Sequence, residues 1–493
     1  MGSLRLRCPD PAAMLVTGVA AAAGLLAFAS IAWGVSPGIP LVLATTALGL
    51  AAIGHWLAQW RTLLAIVVLV ILFVPIRRYT VLSELPFNLE PYRLLVAAIA
   101  LAWLGALLIQ RDTWIVRTGL EGPVLALGTA VLLGVVVNAG RIQGGLSEFT
   151  IKKCTFFVSF VLVMYLTASV LKRRAEIDRL IAVLVAGGAV VALFALIESR
   201  TGFNPFDHLQ RPFPFLHFDE TQTPEFTATR GGRPRAYASA QHSIALGAAL
   251  VMLIPLAVYL GRRTGKAIWW VALSLLVLGA LCTVSRTAMV MLVVELLVLV
   301  WLQPATMRRL WPALLPLLLA AHIVAPGTLG ALKEGFMPKG GLIAEQQSGA
   351  GTYGSGRLAD LGPGLRDWSM NPVLGQGFGT RITDRNDPSY NAPILDDEWL
   401  GTLLETGAAG FLAILWLFAR AIRRLATAAR TDPTERSWLL AGLASAIYAY
   451  AIGMATYDAF SFIQVTFLLF IVLGVAAAEL RLRPRSLAEP AAA

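Results

Sequence analysis

Apolar runs of about 17 to 22 residues recur along the whole 493-residue chain, each long enough at 1.5 Å per residue to cross about 30 Å of hydrocarbon. Hydrophobic residues make up 57%, charged residues 14%, and mean hydropathy is +0.70. Soluble domains carry about 25% charge, so the pattern predicts an integral membrane protein built from helices. The expected spans are 14–34, 39–58, 62–76, 93–110, 121–138, 154–171, 179–198, 243–260, 267–284, 286–303, 309–326, 398–419, 437–456 and 460–480. The 62–76 run is short and the 282–288 junction is tight, so the architecture is all-α and polytopic, with about 12–14 transmembrane helices.

Positive charge gives the orientation. With the N-terminus inside, the short cytoplasmic segments hold Arg5, Arg7, Arg61, Arg111, Arg117, Lys172, Arg173, Arg174, Arg179, Arg262, Arg263, Lys266, Arg308 and Arg309. The same side takes Arg420, Arg423, Arg424, Arg430, Arg436, Arg481, Arg483 and Arg485, so both termini are expected in the cytoplasm. The divisions that follow are helices in 1–198, an external loop at 199–242, helices in 243–326, a large external loop at 327–397, helices in 398–480, and a tail at 481–493.

The net charge of +11 needs no nucleic acid, because arginines at anionic headgroups account for it. Cys8, Cys154 and Cys282 show no metal or disulfide spacing. Arg5 and Arg7 before an apolar run resemble a signal peptide, yet the run is long and is read as a first span. No inverted repeat of the transporter kind is visible.

Polar residues with chemical potential gather in the external loops. Arg230, Arg233 and Arg235, held by Gly and Pro, form either a fork for phosphate oxygens or partners for headgroups and for Asp219, Glu220 and Glu225. Arg286, at the tight junction, either snorkels to the interface or faces a polar cavity shared with Arg235. His242 stands at a helix mouth, where anions are favoured, whereas His55 and His322 read as packed or interfacial. Glu295 falls inside a span and on the helix face opposite Arg286, as a protonated, paired or water-lined acid. Asp396 and Asp397 cap a helix, serve as a general base, or hold a divalent cation with Asp384 or Asp387.

The closing segment Asp396-Asp397-Glu398-Trp399-Leu400-Gly401-Thr402-Leu403-Leu404-Glu405-Thr406-Gly407 resembles the His-Asn-x-Tyr-Leu-x-x-Leu-x-Glu-x-Gly pattern of the O-antigen ligase and O-antigen polymerase superfamily. Gly356-Arg357 with Asn371-Pro372-Val373-Leu374-Gly375-Gln376-Gly377 looks like that family's Gly-Arg … Pro-x-x-Gly-x-Gly segment. Ser285-Arg286 is similar to its Ser-Arg pair, and Arg235, Ala238, Ser239 and His242 to its Arg-x-x-Gly-Thr … His-Pro element, with Ala238 for Gly and Ser243 for Pro. The matches cover about residues 230 to 410.

The resemblance implies a GT-C-like, inverting, metal-independent glycosyltransferase without cofactor. It would move a glycan from a polyprenyl-pyrophosphate carrier to a glycan or lipid acceptor hydroxyl, on the outer face of the cytoplasmic membrane. Carried over, Arg235, Arg286, Arg233, His242 and Arg357 bind pyrophosphate, Asp396, Asp397 and Arg286 act in catalysis, and Gly375, Gly377 and Glu405 support the loop. Asp396 stands where the family has its histidine base. A carboxylate near its ordinary pKa of about 4 is the weaker base, so Asp396, His242 or another group supplies it, or the reaction is altered. Polymerase and ligase are not separable, and a lipid-linked oligosaccharide flippase and a non-enzymatic assembly partner stand as alternatives.

Overall fold

The structure is a computed structural model that describes residues 17–25, 59–81, 90–109, 114–220, 229–230, 233–310, 357–383 and 387–482, with six isolated positions between 311 and 356. The main helices among them are α1 (Trp60–Phe73), α2 (Pro91–Ile109), α3 (Glu121–Val137), α4 (Ser147–Val170), α5 (Arg174–Thr201) and α6 (Ser243–Thr264). They continue as α7 (Ala267–Cys282), α8 (Arg286–Leu302), α9 (Arg357–Met370), α10 (Glu398–Thr431), α11 (Arg436–Gly453) and α12 (Ile463–Arg481). Two antiparallel two-residue ribbons complete the fold: β1 (Tyr79–Thr80) with β2 (His217–Phe218), and β3 (Thr229–Arg230) with β4 (Arg233–Pro234).

Seven helices, α2, α4, α5, α6, α10, α11 and α12, are long and apolar enough to cross a bilayer; α1, α3 and α7 are apolar but shorter. The chain is an all-α polytopic membrane protein. The expected spans 39–58 and 309–326, and all of 14–34 except helical 17–25, lie outside the main described segments.

Helices α6 and α12 form the centre, with 94% of each membrane window buried, against 33% for α2. Around α6 stand α5, α7, α8, α11 and α12, while α12 also packs on α4. Lipid is as apolar as leucine, so such contacts rely on close fit and small residues rather than on escape from water. Gly474 of α12 lets the Met164 carbonyl of α4 approach within 2.7 Å of where a Cβ would stand, and Gly279 of α7 similarly admits Ala192 of α5.

Two corrections to the expected spans matter for the site. Helix α4 begins at Ser147 rather than at residue 154, because the polar segment before the apolar run continues the same helix and takes Lys152 and Lys153 into it. Helix α10 is not one uninterrupted span, since Gly407 inside it has φ 64° and ψ −167°. That conformation suits glycine and breaks the α ladder.

Contacts between loop residues gather at two ends of the bundle. Arg78, Asp207 and Ala238 meet at one end, where Lys153 also meets Glu405; Arg481 meets the carbonyl of Leu171 at the other, where Arg61 lies near Glu176. Replacing Gly474 by alanine forces a Cβ against a carbonyl, and overpacking of this kind costs about 1–3 kcal/mol. Gly105 has nothing within 4 Å of the same position, and a helical Gly→Ala change gains up to about 1 kcal/mol. Thermal unfolding of the two variants in detergent should therefore move in opposite directions, and equal behaviour would refute the tight α4–α12 contact.

Candidate functional site

The site is assembled from backbone that is held in unusual shapes. Arg78 is fully buried; it pairs with Asp207 and donates to the carbonyls of Ala238 at 2.6 Å and Ala240 at 3.0 Å. Burial pushes its guanidinium below the ordinary arginine range, and the adjacent Asp207 counters part of that. From the other side Glu198 accepts the N–H groups of Tyr237 and Ala238 at 3.2 and 2.7 Å. The clamped turn leaves Ala238 at φ 42°, a left-handed conformation that costs roughly 1–2 kcal/mol for a residue with a Cβ. A glycine would adopt this conformation without that cost.

The clamp delivers Arg235. Its Nε donates to the carbonyl of Thr283 at 3.2 Å, and the next residue, Ala236, donates its N–H to Cys282. Thr283 belongs to the turn between α7 and α8, where Val284 has φ 45° and Ser285 caps α8 through the N–H of Ala288. Arg286 opens α8 and is half-buried. Arg235 thus bonds to the small turn from which Arg286 departs.

Two helix N-termini meet there. Helix α6 starts at Ser243, whose Oγ donates to the carbonyl of Arg235, and a Cβ on Gly247 in its second turn would touch Ala288 in the first turn of α8. Each N-terminus carries partial positive charge, so an arginine at the start of α8 adds to an existing positive field. Such an arrangement gains most from an anion. His242 caps α6, its Nδ1 accepting the N–H of Ile244 at 3.1 Å. With Nδ1 committed as acceptor, the neutral ring carries its proton on Nε2 and offers a donor rather than a base.

A chain of contacts leads from Arg286 to the acids. Thr287 takes a hydrogen bond at 3.0 Å from Thr456, and the carbonyl of the next residue, Tyr457, accepts the N–H of Glu398 at 3.2 Å. The rings of Tyr457, Phe462 and His242 follow one another at 5.7 and 5.9 Å between centroids. Asp397 is the N-cap of α10, accepting the N–H of Leu400 at 3.1 Å, so capping is its observed role. Asp396 is exposed just before it, and Glu398 is buried with donors from Phe460 N–H and Thr402.

The glycine-rich turn after α9 fits into the break in α10. Gln376 and Gly377 donate to the carbonyls of Leu404 and Glu405, while Ala408 and Ala409 donate to those of Pro372 and Val373. Gly375, at φ 65°, approaches so closely that a Cβ would lie 2.6 Å from the backbone of Glu405 and Gly407. Gly375 and Gly377 therefore lie against the backbone of the α10 break. Glu405, beside the break, takes both oxygens to Nζ of Lys153 at 2.7 and 2.8 Å.

Lys153, Glu398 and Glu405 separate two clefts of about 50 Å³ each. The polar one is completed by Arg381, Thr383, Asp397 and Asp458; the other descends among apolar residues including Leu127, Phe156, Phe160, Leu417 and Phe470. That volume holds a few waters, so a larger occupant requires side chains to turn aside. Glu295 lies elsewhere, fully buried, with no hydrogen-bond partner for either oxygen among the described residues.

The side chains of Arg233 and Arg357, and Asp384 and Gly356 altogether, fall outside what the structure describes. The sequence reading does not single out Lys153, Asp458, Arg381, Arg78, Asp207 or Glu198. One signal exists for two of them: on the orientation expected from the charge pattern, Arg78 and Lys153 fall in short external segments, against the bias that puts positive charge inside. Removing one partner of a buried ion pair costs about 3–5 kcal/mol, and the partial exposure of Lys153 puts this pair at the low end or below. Glu405→Ala and Lys153→Ala should each lower stability in detergent, while Lys153→Met combined with Glu405→Leu should recover most of the loss. Additive losses in the double variant would mean that the two side chains act independently.

Residues 271–415 match a protein-family model described as O-Antigen ligase. The matched stretch runs from α7 through Arg286, the glycine turn, Asp396, Asp397 and Glu405 to the upper part of α10. No curated protein matches the chain. This match, over less than half of the chain, supports an O-antigen ligase/polymerase superfamily assignment.

Proposed function

We propose that the protein is an inverting, metal-independent glycosyltransferase that moves a glycan from a polyprenyl-pyrophosphate carrier to an acceptor hydroxyl on the outer face of the cytoplasmic membrane. The observation that carries this reading is the meeting of Arg235, Arg286 and the N-termini of α6 and α8 beside the acid-bearing start of α10. The arginines and helix ends bind the pyrophosphate and stabilise the charge it gains as it leaves. The acceptor oxygen attacks the anomeric carbon, the bond from that carbon to the phosphate oxygen breaks, and the pyrophosphate departs with the electron pair. The hydroxyl proton passes to Asp396, whose exposed carboxylate precedes the capped start of α10. His242 serves as a donor to the anion, consistent with the proton on its Nε2.

Arg235→Ala and Arg286→Ala should each reduce glycan transfer by about 100-fold or more, with lysine restoring part of the loss. Asp397→Asn keeps an N-capping side chain, so it should preserve the fold, whereas Asp396→Asn should abolish transfer with protein abundance unchanged. The readout is surface polysaccharide in a deletion strain complemented at matched abundance. Loss of long chains with single units still displayed marks a polymerase; finished polymer stranded on its carrier marks a ligase. Wild-type glycan from both Asp396→Asn and Arg286→Ala would sink the catalytic assignment.

Metal independence has its own check in purified protein. Transfer should persist after chelation, and activity lost to chelator and regained with magnesium or manganese would turn the acids into metal ligands.

A further inference from the structure

At the end of the bundle opposite the candidate site lies a cavity of about 870 Å³, within the range of about 300–1,000 Å³ common for small-molecule sites. It is lined by Arg61 at the start of α1, Arg117 before α3, Lys172 and Arg173 between α4 and α5, and Arg481 at the end of α12. The charge pattern assigns all of these segments to the cytoplasm. Segments far apart in sequence therefore bring five cations to one place.

Their charges are only partly balanced from within. Among the described residues Glu176 is the one carboxylate in the lining; it pairs with Arg173 at 2.8 Å and lies 3.9 Å from Arg61. Arg481 donates to the carbonyl of Leu171 at 2.7 Å, which supplies no full counter-charge. Arg117 and Lys172 are both exposed and form no ion pair among the described residues. The ammonium of Lys172 stands 5.5 Å from the ring centre of Trp114, a contact that holds the cation without neutralising it.

The rest of the wall is apolar and aromatic. Trp103 is buried behind the cavity, Trp60 is half-buried, and Trp114 is 61% exposed at the rim beside Ile115, exposed by 58%. Tryptophan favours the level of lipid headgroups, where its ring meets hydrocarbon and its N–H meets water. Basic pockets between helices on the cytoplasmic side suit phosphate-bearing headgroups.

We propose that this cavity binds a phosphate-bearing anion carrying two or more charges, supplied as an anionic phospholipid of the inner leaflet or as a free phosphate compound of the cytosol. The tryptophan rim favours the lipid. Phosphate oxygens meet Arg117 and Lys172, and acyl chains leave past Trp114 and Ile115. The site is remote from Arg235 and Arg286, and it holds whatever reaction the outer end performs.

The test uses the full chain, purified and delipidated in detergent, and native mass spectrometry with cardiolipin, phosphatidylethanolamine or inorganic pyrophosphate. Wild type should retain cardiolipin at least tenfold over phosphatidylethanolamine, and Arg117→Ala with Lys172→Ala should remove that preference. Arg308→Ala with Arg309→Ala, which alters exposed cations outside the cavity, should leave it intact. Variant-sensitive binding of pyrophosphate without a cardiolipin preference would keep the site and assign its ligand to the cytosol. Both altered positions are exposed, and unchanged thermal unfolding without ligand will show that the fold is kept. Equal retention of cardiolipin and of pyrophosphate by wild type and the cavity variant would overturn the proposal.

Discussion

The insertion of the Asn371–Gly379 backbone into the break of α10 is the contact on which the candidate site's end of the bundle depends. A helix in a bilayer must satisfy its own backbone, and a break is tolerated only where other groups take over the freed hydrogen bonds. Here Leu404 and Glu405 give their carbonyls to the turn, and Ala408 and Ala409 take theirs from it. The exchange works because Gly375 and Gly407 bring two main chains closer than any Cβ allows. Glu405 is held at the break, and through Lys153 the same feature reaches α4 and the wall of both clefts.

A second restraint is electrostatic and steric together. Among the described residues, the non-glycine positions with positive φ are Arg77, Ala238 and Val284. The first adjoins Arg78, the second lies in the turn that Arg78 clamps, and the third comes two residues before Arg286. Strained backbone persists only where its surroundings over-determine it, and it gathers at functional sites. The buried pairing of Arg78 with Asp207, with Tyr237 donating to Asp207 at 2.9 Å, provides that over-determination around Arg235.

Much of this was legible in the chain, because the relevant signals were local. Apolar run length gave most described spans to within a few residues, and Ser285-Arg286 stood at a junction that proved to be a capped turn. The two loop motifs were visible as motifs, yet nothing in their order revealed that one inserts into the other. That contact is made by backbone, and backbone hydrogen bonds leave little trace in side-chain composition. The extension of α4 to Ser147 was missed for a related reason: hydropathy marks where a helix lies in lipid and is silent about polar turns beyond it.

The bias of positive charge toward one side sharpens the reading of the few cations on the other. A lysine or arginine in a short external segment works against the bias that orients the chain. On the orientation expected from the charge pattern Arg78 and Lys153 are of this kind, and each has a carboxylate partner within its own end of the bundle: Asp207 for one, Glu405 for the other. Arg286 opens a helix whose dipole already favours an anion, and Arg235 reaches the turn before it. Carboxylates thus tie Arg78 and Lys153 into the scaffold, while Arg286 stands where a helix N-terminus adds its own positive field.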